Sequence, residues 1–396
     1  MSIIRCRFLN LSLFIFLLTC NKNTFAQVKN LRKKVAIFTP LFLDSAFNNE
    51  GKYKFATNTF PKFLNPGIEF YEGVKLAIDS LQKEEAMLEF YVFDTKSKKK
   101  SIPSLLSSPL FDSIDLIITH CNSAEAKLFA EVGFNKNTPV INANLPSDAG
   151  AISNPFWIVL NPTLRTQCEG IYKLVQKHFS LDPIIVFRKK GTLEDRIKTY
   201  IDDFGKNTSS VKLNLTYVDF TDSIAMEDVK KYLDTNINTT CIVGSLDEGF
   251  GKKILTQLVS LYNQGYKSTI IGMPTWDALQ LHKPDFKGPE VIYSNPFYNT
   301  KNDKLSKDLT ATFGKTLKAR PSDMVFRGYE TTLRFAKLLL HFKEDFASNI
   351  SNKSLKIFTD FDIQPVLNRQ SLDLDYFENK NLSFLKWQDG VMKTIF

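Results

Sequence analysis

The segment that most constrains the fold is GIEFYEGVKLAIDSL (67–81), because it lies between two short apolar runs, KVAIF (34–38) and LEFYVFD (88–94). Its apolar residues recur at helical spacing: Phe70, Val74, Ala77, Ile78 and Leu81. The spacing predicts an amphipathic helix with one apolar face. A strand, an amphipathic helix and a second strand together make a βαβ unit.

The same alternation continues along the chain. Apolar runs typical of strands occur at 34–38, 88–93, 115–119, 139–143, 156–160, 184–188, 212–218, 239–244, 268–272 and 291–294. Predicted helices lie at 123–133, 166–179, 193–204, 225–233, 249–264, 304–317 and 324–342. Continuous apolar runs fit parallel strands that are buried on both faces. The alternation therefore predicts a doubly wound α/β architecture.

Two segments depart from simple alternation. The polar segment Leu43–Leu64 is too long for a minimal connection and too rich in aromatic residues for easy disorder. It predicts either an ordered flap beside a cleft or a surface decoration over the edge of the first sheet. Near the end of the chain, Asp389-Gly390 separates two apolar runs, which predicts a β-hairpin.

The N-terminus has the pattern of an export signal. Arg5 and Arg7 precede an apolar stretch of about ten residues, too short to span a membrane, where about 20 are needed. Cleavage after Ala26 would make residues 1–26 a signal peptide, whereas LLTC, ending at Cys20, offers an alternative as a lipoprotein box. The sequence thus predicts a periplasmic protein, attached to a membrane only if Cys20 is lipidated.

Composition excludes several classes of function. Residues 1–26 contain three basic residues and no acid, so their removal lowers the net formal charge from +9 to +6. This small positive charge does not by itself indicate a protein that binds nucleic acid. Three cysteines remain, Cys121, Cys168 and Cys241, and we expect small buried side chains rather than disulfides. No Cys/His spacing resembles a zinc site, and no cofactor is expected.

Catalytic motifs are also missing from the sequence. It contains no G-x-S-x-G elbow, H-E-x-x-H, phosphate loop or G-x-G-x-x-G. Of the four histidines, His120 alone ends a strand where a cleft would lie. Catalytic sites assembled from distant residues escape such scans, so an exported hydrolase that uses His120 and Asp247 stays open as a hypothesis.

The helix F-Y-E-G-x-x-L-A-x-D-x-L after the first strand resembles the first helix of type I periplasmic solute-binding proteins, the leucine/isoleucine/valine-binding class. RGYETTLRFAKLLL (327–340) resembles a late helix of their first lobe. The resemblance implies two Rossmann-like α/β lobes joined by a three-strand hinge, with a ligand cleft between them. It places 28–162 and 297–350 in lobe 1, and 163–296 and 351–396 in lobe 2.

In lobe 1, the expected site follows two strand ends. Asn122 fits a helix N-cap with Glu125 in a capping box, and the free amides of that helix can receive a carboxylate. The resemblance implies that Ser123, with Asn122 beside it, holds a ligand carboxylate. After the next strand, Asn144 and Ser147 lie near a position where the family has threonine or serine.

Where the chain first passes from lobe 1 to lobe 2, at 161–166, the family often has an acidic residue that holds the ligand ammonium. This chain has Arg165 and Thr166 there. In lobe 2, the resemblance implies that Asp247 or Glu248 holds a ligand ammonium. Trp276, at a strand exit, could stack on a ligand or lie in the core.

These features predict an exported solute-binding protein that closes its lobes over a small polar ligand for ABC-type import. The ligand would be amino-acid-like, a short peptide or a cell-wall fragment, and an ABC permease is a possible partner. The alternative is an envelope binding module that works without a transporter and recognises cell-wall fragments or regulates a cell-wall enzyme.

Overall fold

The fold is taken from a computed structural model, which describes residues 32–56, 59–221 and 223–395. The expected signal peptide, residues 1–26, and the expected lipidation site at Cys20 lie outside the described residues. Among the described residues, no helix has both the length and the apolar content needed to cross a membrane.

The described strands are β1 (Lys33–Thr39), β2 (Leu88–Asp94), β3 (Leu116–Thr119), β4 (Val140–Asn142), β5 (Trp157–Val159), β6 (Ile184–Lys189), β7 (Leu215–Phe220), β8 (Thr239–Val243), β9 (Ser268–Ile271), β10 (Glu290–Asn295), β11 (Ile363–Leu367), β12 (Leu374–Asn379), β13 (Ser383–Gln388) and β14 (Val391–Ile395). The described α-helices are α1 (Leu43–Ala46), α2 (Asn65–Lys83), α3 (Ile102–Leu106), α4 (Ser123–Lys136), α5 (Leu164–His178), α6 (Thr192–Asn207), α7 (Met226–Lys230), α8 (Glu248–Tyr262), α9 (Lys304–Leu317) and α10 (Asp323–Phe342). Short 3-10 helices lie at Lys62–Leu64, Pro109–Ser113, Pro274–Ala278, Pro284–Phe286 and Lys353–Leu355.

The strands form two seven-stranded sheets that share the topology of their first five strands, whereas β12 runs parallel to β5 and β13 runs antiparallel to β10. The first has the order β2-β1-β3-β4-β5-β12-β11 and the second the order β7-β6-β8-β9-β10-β13-β14. In each sheet the first five strands are parallel to one another and run in the order 2-1-3-4-5. The predicted two-lobed α/β fold is confirmed. In such sheets the ligand crevice lies outside the carboxyl ends of the strands, where the strand order reverses.

The chain passes between the sheets at three connections: β5 to α5, β10 to α9, and β12 to β13. The assignment of 351–396 to the second lobe is wrong for β11 and β12. These strands join the first sheet, where β12 pairs with β5 at Phe377–Ile158, and only β13 and β14 join the second sheet. Pairing between strands more than 200 residues apart leaves no local pattern in the sequence.

The predicted helix 67–81 is confirmed as α2, and it packs against α10. The two helices approach so closely that a Cβ on Gly73 would lie 2.0 Å from the carbonyl oxygen of Val325, and one on Gly328 would lie 2.1 Å from that of Phe70. Backbone-to-backbone contact at this distance requires glycine on both helices. The glycine of the F-Y-E-G motif therefore serves this helix crossing.

Local predictions were also confirmed. Asp389 and Gly390 have φ angles of 51° and 80° and join β13 to β14 in a hairpin, the conformation of a type I′ turn. The free thiols of Cys121, Cys168 and Cys241 are buried.

The described part of Leu43–Leu64 is ordered and lies at the carboxyl end of the edge strand β2. Asp94, the last residue of that strand, accepts hydrogen bonds from the amides of Leu41, Phe42 and Leu43 at 2.8–3.1 Å. Aromatic rings of the segment pack on one another, as between Tyr53 and Phe55, whose centroids are 5.5 Å apart. A position at the carboxyl end of the edge strand fits both interpretations, so both stay predictions.

Candidate ligand-binding site

The carboxyl end of β3 leads into α4 through the predicted capping box. The Asn122 side chain accepts from the amide of Glu125 at 3.0 Å, and Glu125 accepts from the amide of Asn122 at 2.9 Å. Ser123, the first residue of α4, is exposed. Its hydroxyl and amide, and the amide of Ala124, make no hydrogen bond to a described residue. These groups can receive an anion at the helix N-terminus.

The loop after β4 packs against this helix start. The Asn144 side chain accepts from the Cys121 amide at 2.9 Å and donates to the Cys121 carbonyl at 3.1 Å. The side chain of Asn144 therefore ties the two loops together, and because its second amide hydrogen stays available, its expected contact with a ligand stays a prediction. Ser147 is half-buried, and its hydroxyl accepts from the amide of Ala149. That hydroxyl can still donate to a ligand.

Thr166 is engaged by the third connection. It is buried in the first turn of α5, and its hydroxyl accepts from Lys380 at 2.8 Å. The hydroxyl hydrogen can still be donated, so the expected contact of Thr166 with a ligand stays a prediction. Arg165 is also engaged, since it pairs with Asp203 at 3.2 Å and lies 4.7 Å from the ring centroid of Tyr200.

In the second lobe, Asp247 is the N-cap of α8 and lies beyond the carboxyl end of β8. It accepts from the Phe250 amide at 3.0 Å and pairs with Lys189 at 3.0 Å. The Phe250 amide and then Lys189 lower the pKa of this carboxyl, so it is ionised at neutral pH. Glu248 is exposed in the first turn of the same helix. Both acidic residues thus lie at the carboxyl end of β8, at the start of α8, which is where the ligand ammonium was expected to bind.

Trp276 is fully buried in the core of the second lobe. Its ring fills the space beside two glycines, where a Cβ on Gly272 would come within 2.1 Å and one on Gly251 within 2.6 Å of it. Stacking of Trp276 on a ligand is therefore wrong, because the indole has no exposed face.

His120 is also buried, with its ring 5.3 Å from that of Phe70. Burial and then the charge of Arg327 lower the pKa of His120 to about 4, so the imidazole is neutral at neutral pH. Its Nδ1 has no hydrogen-bond partner among the described residues. Across the described ranges, no group of three or more His, Cys, Asp or Glu side chains could hold a metal ion.

A cavity of about 620 Å³ lies between the lobes beside the second connection. We call it the inter-lobe cavity. Asn161 and Arg327 line it from the first lobe, and Asp277 and Tyr293 line it from the second. Asn161 donates to the Asn144 carbonyl at 2.8 Å, which links the cavity to the loops around Ser123. Arg327 and Asp277 were not predicted from the sequence, although Arg327 begins the segment 327–340 and Asp277 follows Trp276.

No protein-family model matches the chain, and no curated protein sequence matches it. Solved structures do share its fold. A putative branched-chain amino acid ABC transporter protein from Rhodospirillum rubrum matches with a TM-score of 0.63 at 10% identity, over 92% of this chain and 100% of the other. An ABC transporter substrate-binding protein from Desulfitobacterium hafniense matches with a TM-score of 0.61 at 12% identity, over 92% and 99%.

A third similar structure is the C-domain of LpoA from Haemophilus influenzae, a regulator of PBP1A. It matches with a TM-score of 0.55 at 12% identity, over 92% of this chain and 100% of the other. The chain therefore has the type I periplasmic-binding-protein fold, as the sequence predicted.

If Ser123 holds the ligand, Ser123→Ala should weaken binding of the retained small molecule by about 1 kcal/mol or more, because a hydrogen bond to a charged group is lost. Isothermal titration calorimetry measures this. Asn122→Ala tests the helix start separately, since loss of the N-cap should lower stability by about 1 kcal/mol. Unchanged affinity in Ser123→Ala would remove this residue from the site.

Proposed function

We propose that this chain is an exported solute-binding protein that captures a small polar ligand by closing its two lobes. The ligand is amino-acid-like, a short peptide or a cell-wall fragment. The observation that carries the proposal is the pair of sheets with the same five-strand parallel core, joined at three connections, with a cavity lined from both lobes. Two lobes linked by a few strands are a typical hinge.

Contacts outside the hinge are compatible with such movement. Arg369, in the turn between β11 and β12, pairs with Asp203 of α6 at 3.2 Å, and the Arg369 side chain is 63% exposed. An exposed pair of this kind contributes roughly 0–1 kcal/mol. The binding free energy of a ligand with micromolar affinity is about 8 kcal/mol. It exceeds the free energy needed to break this ion pair.

The expected partner is an ABC permease that imports the ligand, and the similar structures support this expectation. Two of those structures are described as ABC transporter proteins. We place the protein in the periplasm, exported by cleavage after Ala26 or anchored through a lipid on Cys20.

A second candidate function is an envelope module that regulates a cell-wall enzyme. The LpoA C-domain, described as a regulator of PBP1A, shares the fold. The hydrogen bonds between Asn144 and the backbone of Cys121 also leave that side chain fewer groups for an amino-acid ligand.

Ligand capture by closure predicts that the radius of gyration decreases when ligand binds. Native mass spectrometry of gently purified protein should reveal a retained small molecule, and small-angle scattering of the emptied and reloaded protein should show the decrease. A saturated protein with an unchanged radius would contradict closure. Failure to retain or bind any small molecule, combined with capture of a cell-wall enzyme, would favour the envelope module.

A further inference from the structure

The segment that follows β1 exposes a row of aromatic rings on the first lobe. Neighbouring rings lie 5.2–6.4 Å apart between centroids in the order Phe42, Phe63, Phe55, Tyr53 and Phe47. Four apolar side chains of the segment are exposed by 40–54%: Leu43, Phe47, Phe60 and Phe63. A contiguous exposed apolar surface of this kind marks an interaction site.

Hydrogen bonds hold this segment in one conformation. Asp44, in α1, accepts from the amide of Lys98 at 2.7 Å and from the hydroxyl of Ser97 at 3.2 Å, which ties the segment to the loop after β2. The Asn48 side chain accepts from the amide of Lys52 at 2.8 Å and closes the turn after Phe47. The exposure of the rings therefore belongs to the fold and does not result from a loose loop.

Lysines lie beside the rings. Six exposed lysines of this segment and of the loop after β2 make no ion pair with a described residue: Lys52, Lys54, Lys62, Lys98, Lys99 and Lys100. Lys54, Lys98 and Lys99 line one cavity of about 690 Å³ together with Leu43 and Phe47. The apolar and the cationic side chains are thus neighbours, and we call the five stacked rings, Leu43, Phe60 and these six lysines the aromatic–lysine surface.

The charge of this surface is not balanced locally. Across 43–64 and 94–100 the sequence has seven lysines, three acidic residues and no arginine. Two of the three acidic residues, Asp44 and Asp94, already accept hydrogen bonds from backbone amides. The aromatic–lysine surface therefore presents a positive potential around exposed apolar groups, which suits an anionic partner.

The composition distinguishes between two kinds of anionic partner. Protein–protein interfaces are enriched in aromatic residues and arginine but depleted in lysine. Surfaces that bind a membrane combine lysine with phenylalanine and leucine, because the apolar side chains enter the boundary of the acyl chains while the ammonium groups attract anionic lipids. The long lysine stem can lie along apolar surface while its charge reaches a headgroup. Lysine without arginine beside exposed phenylalanine therefore favours a lipid surface.

We propose that the aromatic–lysine surface docks on a bilayer that contains anionic phospholipids. Phe47, Phe60 and Phe63 enter the interface, and the lysines contact the headgroup phosphates. This inference goes beyond ligand capture and does not depend on it. The surface lies at the carboxyl end of β2, so docking would hold the end of the first sheet that carries the candidate ligand site near the membrane. It would also strengthen any anchor at Cys20, since one acyl chain alone binds a membrane only marginally.

Co-sedimentation of the exported protein with two kinds of vesicle tests this inference. One kind is pure phosphatidylcholine, and the other contains about 30% phosphatidylglycerol as the anionic lipid. At low salt we expect wild-type protein to bind the anionic vesicles about tenfold or more tightly than the neutral ones. The preference should fall at about 0.5 M salt, because exposed charges are then screened. A lipid on Cys20 would raise binding to both kinds of vesicle and would leave their ratio unchanged.

A double lysine variant tests the headgroup contacts. Lys98→Gln combined with Lys99→Gln should weaken binding to the anionic vesicles about tenfold or more, because each lysine near an anionic surface contributes to the attraction. Lys206→Gln combined with Lys212→Gln is the matched control. Both of these lysines are exposed in the second lobe and make no ion pair with a described residue, so this variant should bind as wild type does.

Phe60→Ala tests the insertion of the rings. Phe60 is 54% exposed, and its removal should weaken binding to the anionic vesicles about fivefold, because less apolar surface leaves water on docking. Phe134→Ala is the matched control, since Phe134 is 50% exposed near the end of α4. It should keep the wild-type binding. Circular dichroism checks the fold of each variant, and Phe47→Ala replaces Phe60→Ala if the latter does not fold.

Each outcome decides the inference. Equal binding of wild-type protein to the two kinds of vesicle would overturn it, and so would unchanged binding in the double lysine variant or in Phe60→Ala. A dimer in sedimentation velocity that Phe60→Ala dissociates, without binding to either kind of vesicle, would assign the surface to a second copy of the chain instead. The closure measurement decides ligand capture separately, so neither result determines the other.

Discussion

Gly73→Ala is expected to lower the free energy of unfolding by about 3 kcal/mol, because an added methyl group has no room where α2 crosses α10. The new Cβ would lie 2.0 Å from the carbonyl oxygen of Val325 and 2.7 Å from the amide nitrogen of Tyr329. Both atoms belong to helix backbone, so the helices must move apart. That movement opens the core that they share with the first sheet.

Gly314→Ala is the matched control in α9. Its Cβ would meet nothing closer than the Ala319 carbonyl oxygen at 3.6 Å, so the better helix propensity of alanine should raise stability by roughly 0.5–1 kcal/mol. Urea titration followed by circular dichroism measures both variants. Equal effects of the two substitutions would contradict the backbone contact between α2 and α10.

Glu378→Ala is expected to lower the free energy of unfolding by about 3 kcal/mol or more, because it breaks a buried ion pair on one side. Glu378 is 1% exposed and accepts from Lys380 at 2.6 Å. It also accepts from the amide of Thr163 at 2.7 Å. Thr163 lies in the first connection between the lobes and Lys380 in the third, so this carboxylate joins two of the hinge strands.

Glu84→Ala is the comparison for Glu378→Ala. Glu84 pairs with Lys337 at 2.9 Å, but its side chain is 52% exposed, so its loss should cost at most about 1 kcal/mol. The same urea titration applies to both. A Glu378→Ala variant that is no less stable than Glu84→Ala would show that the hinge does not depend on the buried pair. Separate transitions for the two lobes in Glu378→Ala would show that the pair couples them.

Features set by neighbouring residues could be predicted. The apolar face of α2 follows from helical spacing, the start of α4 from the Asn122–Glu125 capping box, and the last hairpin from Asp389-Gly390. In each case the interacting groups are within about four residues of one another. The doubly wound class followed from the repetition of such units along the chain, and the division into two lobes followed from the resemblance to the solute-binding family.

What the sequence did not predict concerns groups whose partners are distant in the chain. Thr166 receives a hydrogen bond from Lys380, 214 residues away, and no local pattern indicates it. Trp276 at a strand exit was predicted either to stack on a ligand or to lie in the core, and the close approach of Gly251 decides for the core. Arg327 was not predicted as a site residue, although it lines the inter-lobe cavity.

The sequence by itself determined the βα units, their caps and turns, and the doubly wound class, because spacing and capping act over a few residues. Only the tertiary structure decided that β11 and β12 return to the first sheet, that Asn144 and Thr166 hydrogen-bond to Cys121 and Lys380, and that Arg327 and Asp277 line one cavity. Strand pairing and burial of charge depend on residues brought together across hundreds of positions. Side-chain identity alone does not reveal those partners.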